Sequence, residues 1–404
     1  MSSRQGEFEA PPIAPAQMAH PLSILVIRRD NIGDLVCTTP LLGAIRATYP
    51  DAWIGVLANS YNAAVLEGHP DVDAVFAYHK RKHGEIGLIA SLRERLRLIR
   101  QLWARRLDWV VIATPAFQPR FIRLARWLRP RQVAAYVPAE APAAVTRPLA
   151  AALPLRDMEG HTEVELVFRF APVLGLRDAV PPPLKVVAAA DAVKAMQDRI
   201  GAARGRPTIG VHISARKPSQ RWPAERFAET MRELHRLEDA RFVLFWAPGP
   251  AGDPRHPGDD EKAAALVSMC AALPLIPLRT NSLRDLIAGI AACDTLILGD
   301  GGAMHVAAAL GKPLVCLFGQ SDAARWRPWG TACRVLQHPS REVAAITVDE
   351  VVSAYNSLGE NTDGGDSMLL GSMTLGSMSL GSMSLTSTPL GPTFAPVEED
   401  RPPR

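Results

Sequence analysis

In two segments of the sequence, an aspartate and one or more glycines lie between an apolar run, which predicts a strand, and the start of a predicted helix. In RRDNIGDLVCTTPLL, residues 28–42, Asp34 follows Gly33 at the beginning of the helix. In LGDGGAMHVAAALGKPLVCLFG, residues 298–319, a strand ends at Asp300 and two glycines begin the helix. A carboxylate like Asp34 can act as a general base, or it can cap the helix for about 1 kcal/mol.

The glycines of the second segment predict a phosphate site. Glycine lets a phosphate approach the main chain closely, and the unpaired N–H groups of a first helical turn stabilise negative charge. His305, near the start of that helix, is a further candidate donor to a phosphate oxygen. Taken alone, GDGG is equally typical of a structural turn, and a lone histidine there is more often structural.

A third segment, VHISARKPSQRWPAERF at residues 211–227, supplies a loop rich in hydrogen-bond donors. Arginine can bind a phosphate through two parallel N–H bonds, so this loop suits a diphosphate. The alternative is a basic loop that only faces water. Its candidate residues are Ser214, Arg216, Lys217 and Arg221.

The elements around these segments predict an α/β fold of two doubly wound parallel sheets. Short apolar runs alternate with helical patterns, which is typical of parallel strands covered on both faces. Three consecutive prolines in LRDAVPPP, residues 176–183, can continue neither a helix nor a central strand, and they predict an interdomain linker. Ligands bind at the carboxyl ends of such strands, where all three segments lie. The predicted strands are 22–29, 52–59, 73–78 and 108–115, then 208–214, 241–248, 294–301 and 313–319.

The domain organisation follows from this alternation. We expect a disordered lead over residues 1–21, a first Rossmann-like domain over 22–180, a second over 181–358 and a disordered tail over 359–404. The tail repeats SMLLGSMTLGSMSLGSMSL with a glycine every fifth residue, which fits neither helix nor strand. The lead lacks the features of a secretory signal, and no window reaches the roughly 20 apolar residues of a membrane span.

Composition narrows the function classes. Net charge is +4, and the five cysteines form no CxxC pair, which disfavours a disulfide framework or a zinc site and suits the cytoplasm. No GxGxxG follows the first strand, which disfavours a nucleotide-sugar epimerase or oxidoreductase. The three segments contain no DxD-like carboxylate pair, so we expect no metal. Two basic clusters, 79–106 and the five arginines of 120–131, predict arginine-rich helices that either face water or contact anionic lipid.

Together the three segments resemble the lipopolysaccharide heptosyltransferase family, glycosyltransferase family nine, over roughly residues 22–355. The matching residues are GD and TTPLL in the first, RWPAERF in the third, and the D, G, MH, AAALG, P and LFG sequence of the second, which runs into Ser321, Asp322, Arg325, Trp326 and Gly330. The resemblance implies a GT-B fold, in which two Rossmann-like domains face each other across a cleft. The acceptor would bind to the first domain and the donor to the second.

The resemblance also implies roles for individual residues. Asp34 would be the catalytic base, with Gly33, Thr38 and Thr39 as acceptor-side candidates. The implied donor-binding residues are Ser214, Arg216, Lys217, Arg221, Asp300, Gly301, Gly302, Ala303, Met304 and His305. Two positions depart from the family pattern: the usual Ser or Thr after the aspartate is Gly301, and the usual lysine two residues before the tryptophan is Gln220.

The expected activity is inverting, metal-independent transfer of a sugar onto a lipopolysaccharide core or a related glycolipid. The family expectation is heptose from ADP-heptose. The nucleotide sugar is a substrate, so no cofactor is expected, and no nucleic acid partner is expected. We expect a cytoplasmic protein, with peripheral contact to the inner membrane through the basic helices. A degenerate member that binds nucleotide or glycan without turnover, and a lipid-surface scaffold, remain as alternatives.

Overall fold

The computed structural model describes residues 20–78, 88–215, 217–253, 257–359 and 369–370. The predicted lead, apart from residues 20 and 21, lies outside these ranges. So do Arg216, residues 79–87 of the first basic cluster and nearly all of the predicted tail. The expectations for those parts stay predictions.

The first half of the chain forms a parallel sheet of six strands in the order β3-β2-β1-β4-β5-β6. The central strand β1 is buried along its whole length, which is why its sequence SILVI is a continuous apolar run rather than an alternating one. Asp34 and its neighbours follow β1 directly. The strands are β1 Ser23–Ile27, β2 Trp53–Asn59, β3 Ala74–Tyr78, β4 Trp109–Ile112, β5 Gln132–Val137 and β6 Ala151–Pro154.

The predicted helix after β1 is divided into two. Helix α1 (Ile32–Val36) ends two residues before α2 (Thr39–Thr48) begins. Pro40 has no N–H to donate to the carbonyl of Val36, and the Thr39 hydroxyl donates to that carbonyl instead, at 2.7 Å. The other helices of this half are α3 Leu88–Trp103, α4 Pro119–Trp127, α5 Ala143–Thr146 and α6 Glu163–Phe168.

The second half forms another parallel sheet, in the order β13-β12-β11-β10-β7-β8-β9. Its strands are β7 Thr208–His212, β8 Arg241–Trp246, β9 Leu275–Arg279, β10 Thr295–Gly299, β11 Leu314–Phe318, β12 Cys333–Gln337 and the two-residue β13 Leu369–Leu370. Its helices are α7 Ala190–Ile200, α8 Ala224–Glu238, α9 Asp260–Met269, α10 Leu283–Ala291, α11 Gly302–Ala309, α12 Ala323–Trp326 and α13 Val348–Asn356.

Two all-parallel sheets flanked by helices confirm the predicted α/β fold. The proline segment lies between the sheets, and the Trp329 indole donates to the carbonyls of Pro181 and Pro182. Strands β5, β6, β9, β12 and β13 were absent from the sequence-based prediction.

The apolar core has three parts, and the largest joins the two halves. It packs one face of each sheet against α1, α2, α10 and α11. A second part covers the other face of the first sheet beneath α3 and α4, and a third lies on the other face of the second sheet beneath α8, α9 and α13. Within the described residues, no helix is both long and apolar enough to cross a membrane.

Candidate active site

A cavity of about 460 Å³ opens where the carboxyl ends of the two sheets meet. Residues after β1 line one side of it, and residues after β7, β10 and β11 line the other. The cavity therefore contains Asp34 from the first half together with Asp300, Gly301 and His305 from the second. Two of the three segments singled out in the sequence meet here, and the third contributes Ser214 and Lys217.

The Asp34 carboxylate is held from both sides. Its Oδ1 accepts a 2.7 Å hydrogen bond from the Arg28 guanidinium, and its Oδ2 accepts from the backbone and side-chain nitrogens of Asn31 at 2.8 and 2.9 Å. Burial by itself would raise the pKa of Asp34. The charge of Arg28 and these hydrogen bonds outweigh burial, so the pKa lies below its ordinary value. Asp34 thus caps α1 and presents an ionised carboxylate to the cavity.

Arg28 is the last residue before the loop that carries Asp34, and its side chain is only 1% exposed. The guanidinium lies among three carboxylates: Asp34, Asp30 at 3.1 Å and Glu163 at 2.6 Å. It also donates to the carbonyl of Ala113. A buried guanidinium is tolerated only when opposite charges and hydrogen-bond acceptors surround it in this way. Arg28 therefore fixes the position of Asp34 through a charged hydrogen bond.

Glu163, the first residue of α6, connects this arrangement to the second half of the chain. Its Oε1 accepts from Arg28, while its Oε2 accepts from Arg325 of α12 at 3.0 and 2.7 Å. The Glu163 side chain is 2% exposed. A chain of four charged groups, Asp34, Arg28, Glu163 and Arg325, thus runs from one half of the molecule to the other.

The start of α11 faces Asp34 across the cavity. A Cβ added to Gly302 would lie 2.9 Å from the Cβ of Ile32, so this glycine permits close contact with α1. Gly301 differs, because nothing lies within 4 Å of its added Cβ and its backbone is extended. The open main chain that sequence analysis attributed to both glycines is found at Gly301.

His305 packs in the seam between the two helices. Its Nδ1 lies 3.4 Å from the Cys37 Sγ, and its ring closes against Gly33, where an added Cβ would be 2.6 Å away. Burial lowers the pKa of His305, although three nearby carboxylates oppose the shift. A neutral imidazole at this position can donate one hydrogen bond but carries no charge.

The loop after β7 contributes its candidates unequally. Lys217 is exposed and lines the cavity, as does Ser214, whose hydroxyl accepts a hydrogen bond from the backbone of Ala247 at 2.8 Å. Arg221 instead donates to the carbonyl of Ala215 and lies 3.5 Å from the buried Asp259. Arg221 is not among the cavity-lining residues.

Gln220 joins three strand ends on the side of the cavity formed by the second half of the chain. Its amide donates to Asp300 after β10 at 2.8 Å and to the Ser321 hydroxyl after β11. A lysine at this position would bring a positive charge to Asp300, whereas the glutamine brings only a hydrogen bond. This departure from the family pattern therefore removes one charge from the cavity wall and keeps the loops connected.

Besides Arg221, three predicted site residues lie away from the cavity lining. The Thr38 hydroxyl donates to the carbonyl of Asp34, and the Thr39 hydroxyl accepts from the backbone N–H of Lys185 at 3.0 Å. Both threonines and Met304 are buried. Thr38 and Thr39 stabilise the junction of α1 and α2, and Met304 packs in the core. Ala303, by contrast, does line the cavity.

Sequence reasoning missed Arg28, Glu163 and His212 as parts of this site. His212, the last residue of β7, lines the cavity, and burial together with the charge of Lys262 lowers its pKa to about 4. An arginine at the end of a buried strand is a signal that could have drawn attention to Arg28. Nothing local marks Glu163, which lies 135 residues along the chain from its partner Arg28.

Comparison with known proteins shows what this sequence and fold resemble. Residues 160–350 match the model of glycosyltransferase family 9 (heptosyltransferase). Over 334 residues the chain is 28% identical to lipopolysaccharide heptosyltransferase 2 of Salmonella typhimurium, an alignment that covers 81% of this chain and 89% of the relative.

Two solved structures share the fold. A glycosyl transferase family 9 protein from Veillonella parvula superposes with a TM-score of 0.69 at 22% identity, covering 83% of this chain and 97% of that one. The E. coli ADP-heptose lps heptosyltransferase II superposes with a TM-score of 0.64 at 23% identity, covering 83% and 98%. These matches confirm the predicted resemblance and the two-domain fold.

Proposed function

We propose that this glycosyltransferase, whose residues 160–350 match the model of glycosyltransferase family 9, transfers heptose from ADP-heptose to a lipopolysaccharide core or related glycolipid. The single observation that carries the proposal is that Asp34 and the start of α11 line one cavity from opposite halves of the chain. A base and a phosphate-binding helix start must share a cavity if both are to act on one bond.

In the proposed reaction Asp34 removes the proton from an acceptor hydroxyl as that oxygen attacks the anomeric carbon. The bond to the leaving diphosphate breaks as the new glycosidic bond forms, so the configuration inverts. A carboxylate with a lowered pKa is ionised at neutral pH and ready to accept the proton. The bonds from Arg28 and Asn31 keep the carboxylate oriented toward the cavity.

The donor diphosphate is proposed to bind at Gly301 and the first turn of α11. The main chain at Gly301 is open to the cavity, and the first N–H groups of a helix attract negative charge. Lys217, exposed on the same wall, supplies a positive charge for the leaving group. Lys217 suits this proposed role better than Arg221, because Arg221 donates to the carbonyl of Ala215 and lies 3.5 Å from Asp259.

We propose that the transfer needs no divalent metal. Among the residues that the structure describes, no group of three or more His, Cys, Asp or Glu side chains is arranged to hold a metal ion. The carboxylates nearest Asp34 surround Arg28, whose guanidinium already occupies their centre. Lys217 and the α11 N–H groups would stabilise the leaving group instead.

If the acceptor is anchored in a membrane, the arginine-rich helices can bring the protein to that membrane. Between residues 88 and 131 the chain has eleven arginines and two acidic residues. Helices α3 and α4 cover the same face of the first sheet, and the Trp103 indole donates to the carbonyl of Trp127 at 2.7 Å. We call their outward residues the arginine face, namely Arg93, Leu96, Arg97, Arg100, Trp103, Arg123, Arg126 and Trp127.

We propose that the arginine face rests on an anionic membrane surface. Trp127 is 68% exposed, Trp103 46% and Leu96 51%, an unusual amount of apolar surface to leave in water beside so many cations. Tryptophan and arginine together favour the headgroup region of an anionic leaflet. Arg29, in the loop leading to Asp34, stacks over Phe121 of α4, so α4 begins near the cavity.

The function is tested by a transfer assay combined with a thermal-shift screen against ADP-, UDP-, GDP- and dTDP-sugars. We expect ADP-heptose to raise the melting temperature most, because a ligand that binds only the folded state stabilises it. We expect transfer to a heptose-deficient lipopolysaccharide acceptor to be unchanged by EDTA. Loss of transfer on chelation, with recovery on adding Mg²⁺, would refute the metal-independent mechanism.

The same assay separates the alternative of a degenerate binding protein. Such a protein would show the thermal shift with ADP-heptose but neither transfer nor donor hydrolysis. Preference for a different nucleotide sugar, with transfer intact, would keep the glycosyltransferase and change only the donor.

A further inference from the structure

We propose that Glu163 is a positioning residue that ties the orientation of Asp34 to the approach of the second half of the chain. This inference rests on the proposed function and deepens it. Glu163 does not itself line the cavity, and its carboxylate is hydrogen-bonded to Arg28 and Arg325, so we infer that it acts on Asp34 through Arg28. Its two carboxylate oxygens are divided between Arg28 of the first half and Arg325 of the second.

The division matters because one nitrogen of Arg28 serves two carboxylates. The Nη2 atom donates to Asp34 Oδ1 at 2.7 Å and to Glu163 Oε1 at 2.6 Å. This nitrogen carries two N–H groups, so it can donate one to each carboxylate, and Glu163 thereby fixes the orientation in which Arg28 meets Asp34. Arg325 binds the other oxygen of Glu163 and so holds the carboxylate that orients Arg28.

The local balance of charges makes the orientation of Arg28 depend on Arg325. Around Arg28 and Arg325 lie the carboxylates of Asp30, Asp34 and Glu163, so three negative charges share two positive ones. If Arg325 withdraws as the halves separate, Glu163 loses the partner that holds it, and Arg28 alone must balance three carboxylates. The guanidinium is then held less firmly, and the orientation of Asp34 is no longer fixed. The base is set for catalysis only when the donor-binding half is in place.

The burial of Arg28 and Glu163 distinguishes their interaction from that of an ion pair at the surface. The side chains of Arg28 and Glu163 are 1% and 2% exposed, so their interaction is little screened by water. The chain contains a natural contrast in Glu67 and Arg284, which also pair across the two halves but are 47% and 66% exposed. Arg284 lies on α10, and its guanidinium bonds to Glu67, which is not one of the four groups of the buried chain.

The test is Glu163→Gln in the full-length protein. Both oxygens of Glu163 accept from guanidinium donors, whereas an amide offers one acceptor oxygen and turns its NH₂ toward the other arginine. One arginine therefore loses its partner. We expect kcat for sugar transfer to fall at least about tenfold, while the Kd of ADP stays within about threefold of wild type. A purely structural role would not separate kcat from nucleotide affinity in this way.

If Glu163→Gln does not fold, Arg325→Gln provides a second variant, because the Arg325 side chain is 31% exposed and its replacement is better tolerated. We expect a similar fall in kcat for this variant. We expect the kcat of the double variant to be no more than about threefold below that of the less active single variant, because both substitutions break the same linkage. Arg284→Gln is the matched control, with kcat expected within about twofold of wild type.

Two outcomes would overturn the inference: Glu163→Gln with kcat within twofold of wild type, or losses from Glu163→Gln and Arg325→Gln that multiply in the double variant. Failure of the proposed function looks different. In that case wild type transfers no sugar, or Asp34→Asn retains full turnover. If Asp34→Asn is inactive while Glu163→Gln is fully active, the proposed function stands and only the proposed role of Glu163 is refuted.

Discussion

At the scale of single residues, the site depends on how one arginine is shared. Arg28 keeps Asp34 ionised and oriented, and the same guanidinium satisfies the buried Glu163. Capping and general-base roles for Asp34 looked like alternatives from the sequence. The structure makes them compatible, because Oδ2 caps α1 through Asn31 while the carboxylate still lines the cavity.

Gly301 and Gly302 provide a residue-scale prediction. Gly301 is the N-cap of α11 in extended backbone with open space around it, so Gly301→Ser should fit and supply a preferred capping hydroxyl. Gly302→Ser would place its Cβ 2.9 Å from the Cβ of Ile32, an overpacked contact costing roughly 1–3 kcal/mol. We expect the melting temperature to rise or hold in the first variant and to fall in the second.

Thermal unfolding followed by circular dichroism measures both variants under one set of conditions. Because the substituted side chain is the same, serine's own propensities largely cancel between them. A fall of equal size in both variants would contradict the assigned difference between the two glycines.

At the scale of elements, much of the alternation could be predicted and some of it could not. Strands such as β1 are buried on both faces, and their continuous apolar runs identify them directly. Strand β9 contains Pro277 and Arg279 and is only partly buried, so its sequence LIPLR lacks that signal. The break between α1 and α2 depends on Pro40 and on a threonine hydroxyl replacing a helical N–H, which periodicity does not register.

The arginine face is an element-scale prediction, since it requires α3 and α4 to present their outward residues together. We expect the protein to co-sediment with vesicles containing phosphatidylglycerol at low salt, and much less with pure phosphatidylcholine. Each arginine near an anionic surface contributes about 1 kcal/mol. The triple substitution Arg97→Gln, Arg100→Gln and Arg123→Gln should therefore weaken vesicle binding at least about tenfold.

A matched control removes three exposed arginines from the second half of the chain, at Arg199, Arg232 and Arg236. This control should bind vesicles as wild type does, and both triple variants should keep transfer to a water-soluble acceptor. If the two triple variants lose vesicle binding equally, binding depends on the net charge of the protein and not on the arginine face.

At the scale of the whole molecule, the site exists only because the two halves meet. Sequence analysis could assign Asp34 to one sheet edge and Gly301 to another, since both follow buried strands. It could not find Glu163, whose partners Arg28 and Arg325 lie 135 and 162 residues away in other elements. Such a pairing is set by packing between the halves, which leaves no periodic or compositional trace.

The central claim is that Asp34 accepts the proton of the acceptor hydroxyl at a cavity shared by both halves. It is tested most directly by measuring turnover and ADP-heptose affinity together in Asp34→Asn. The account predicts that kcat falls by about 100-fold or more, the range of a lost general base, while the Kd of the donor stays within about threefold. An Asp34→Asn protein that turns over within threefold of wild type would contradict it.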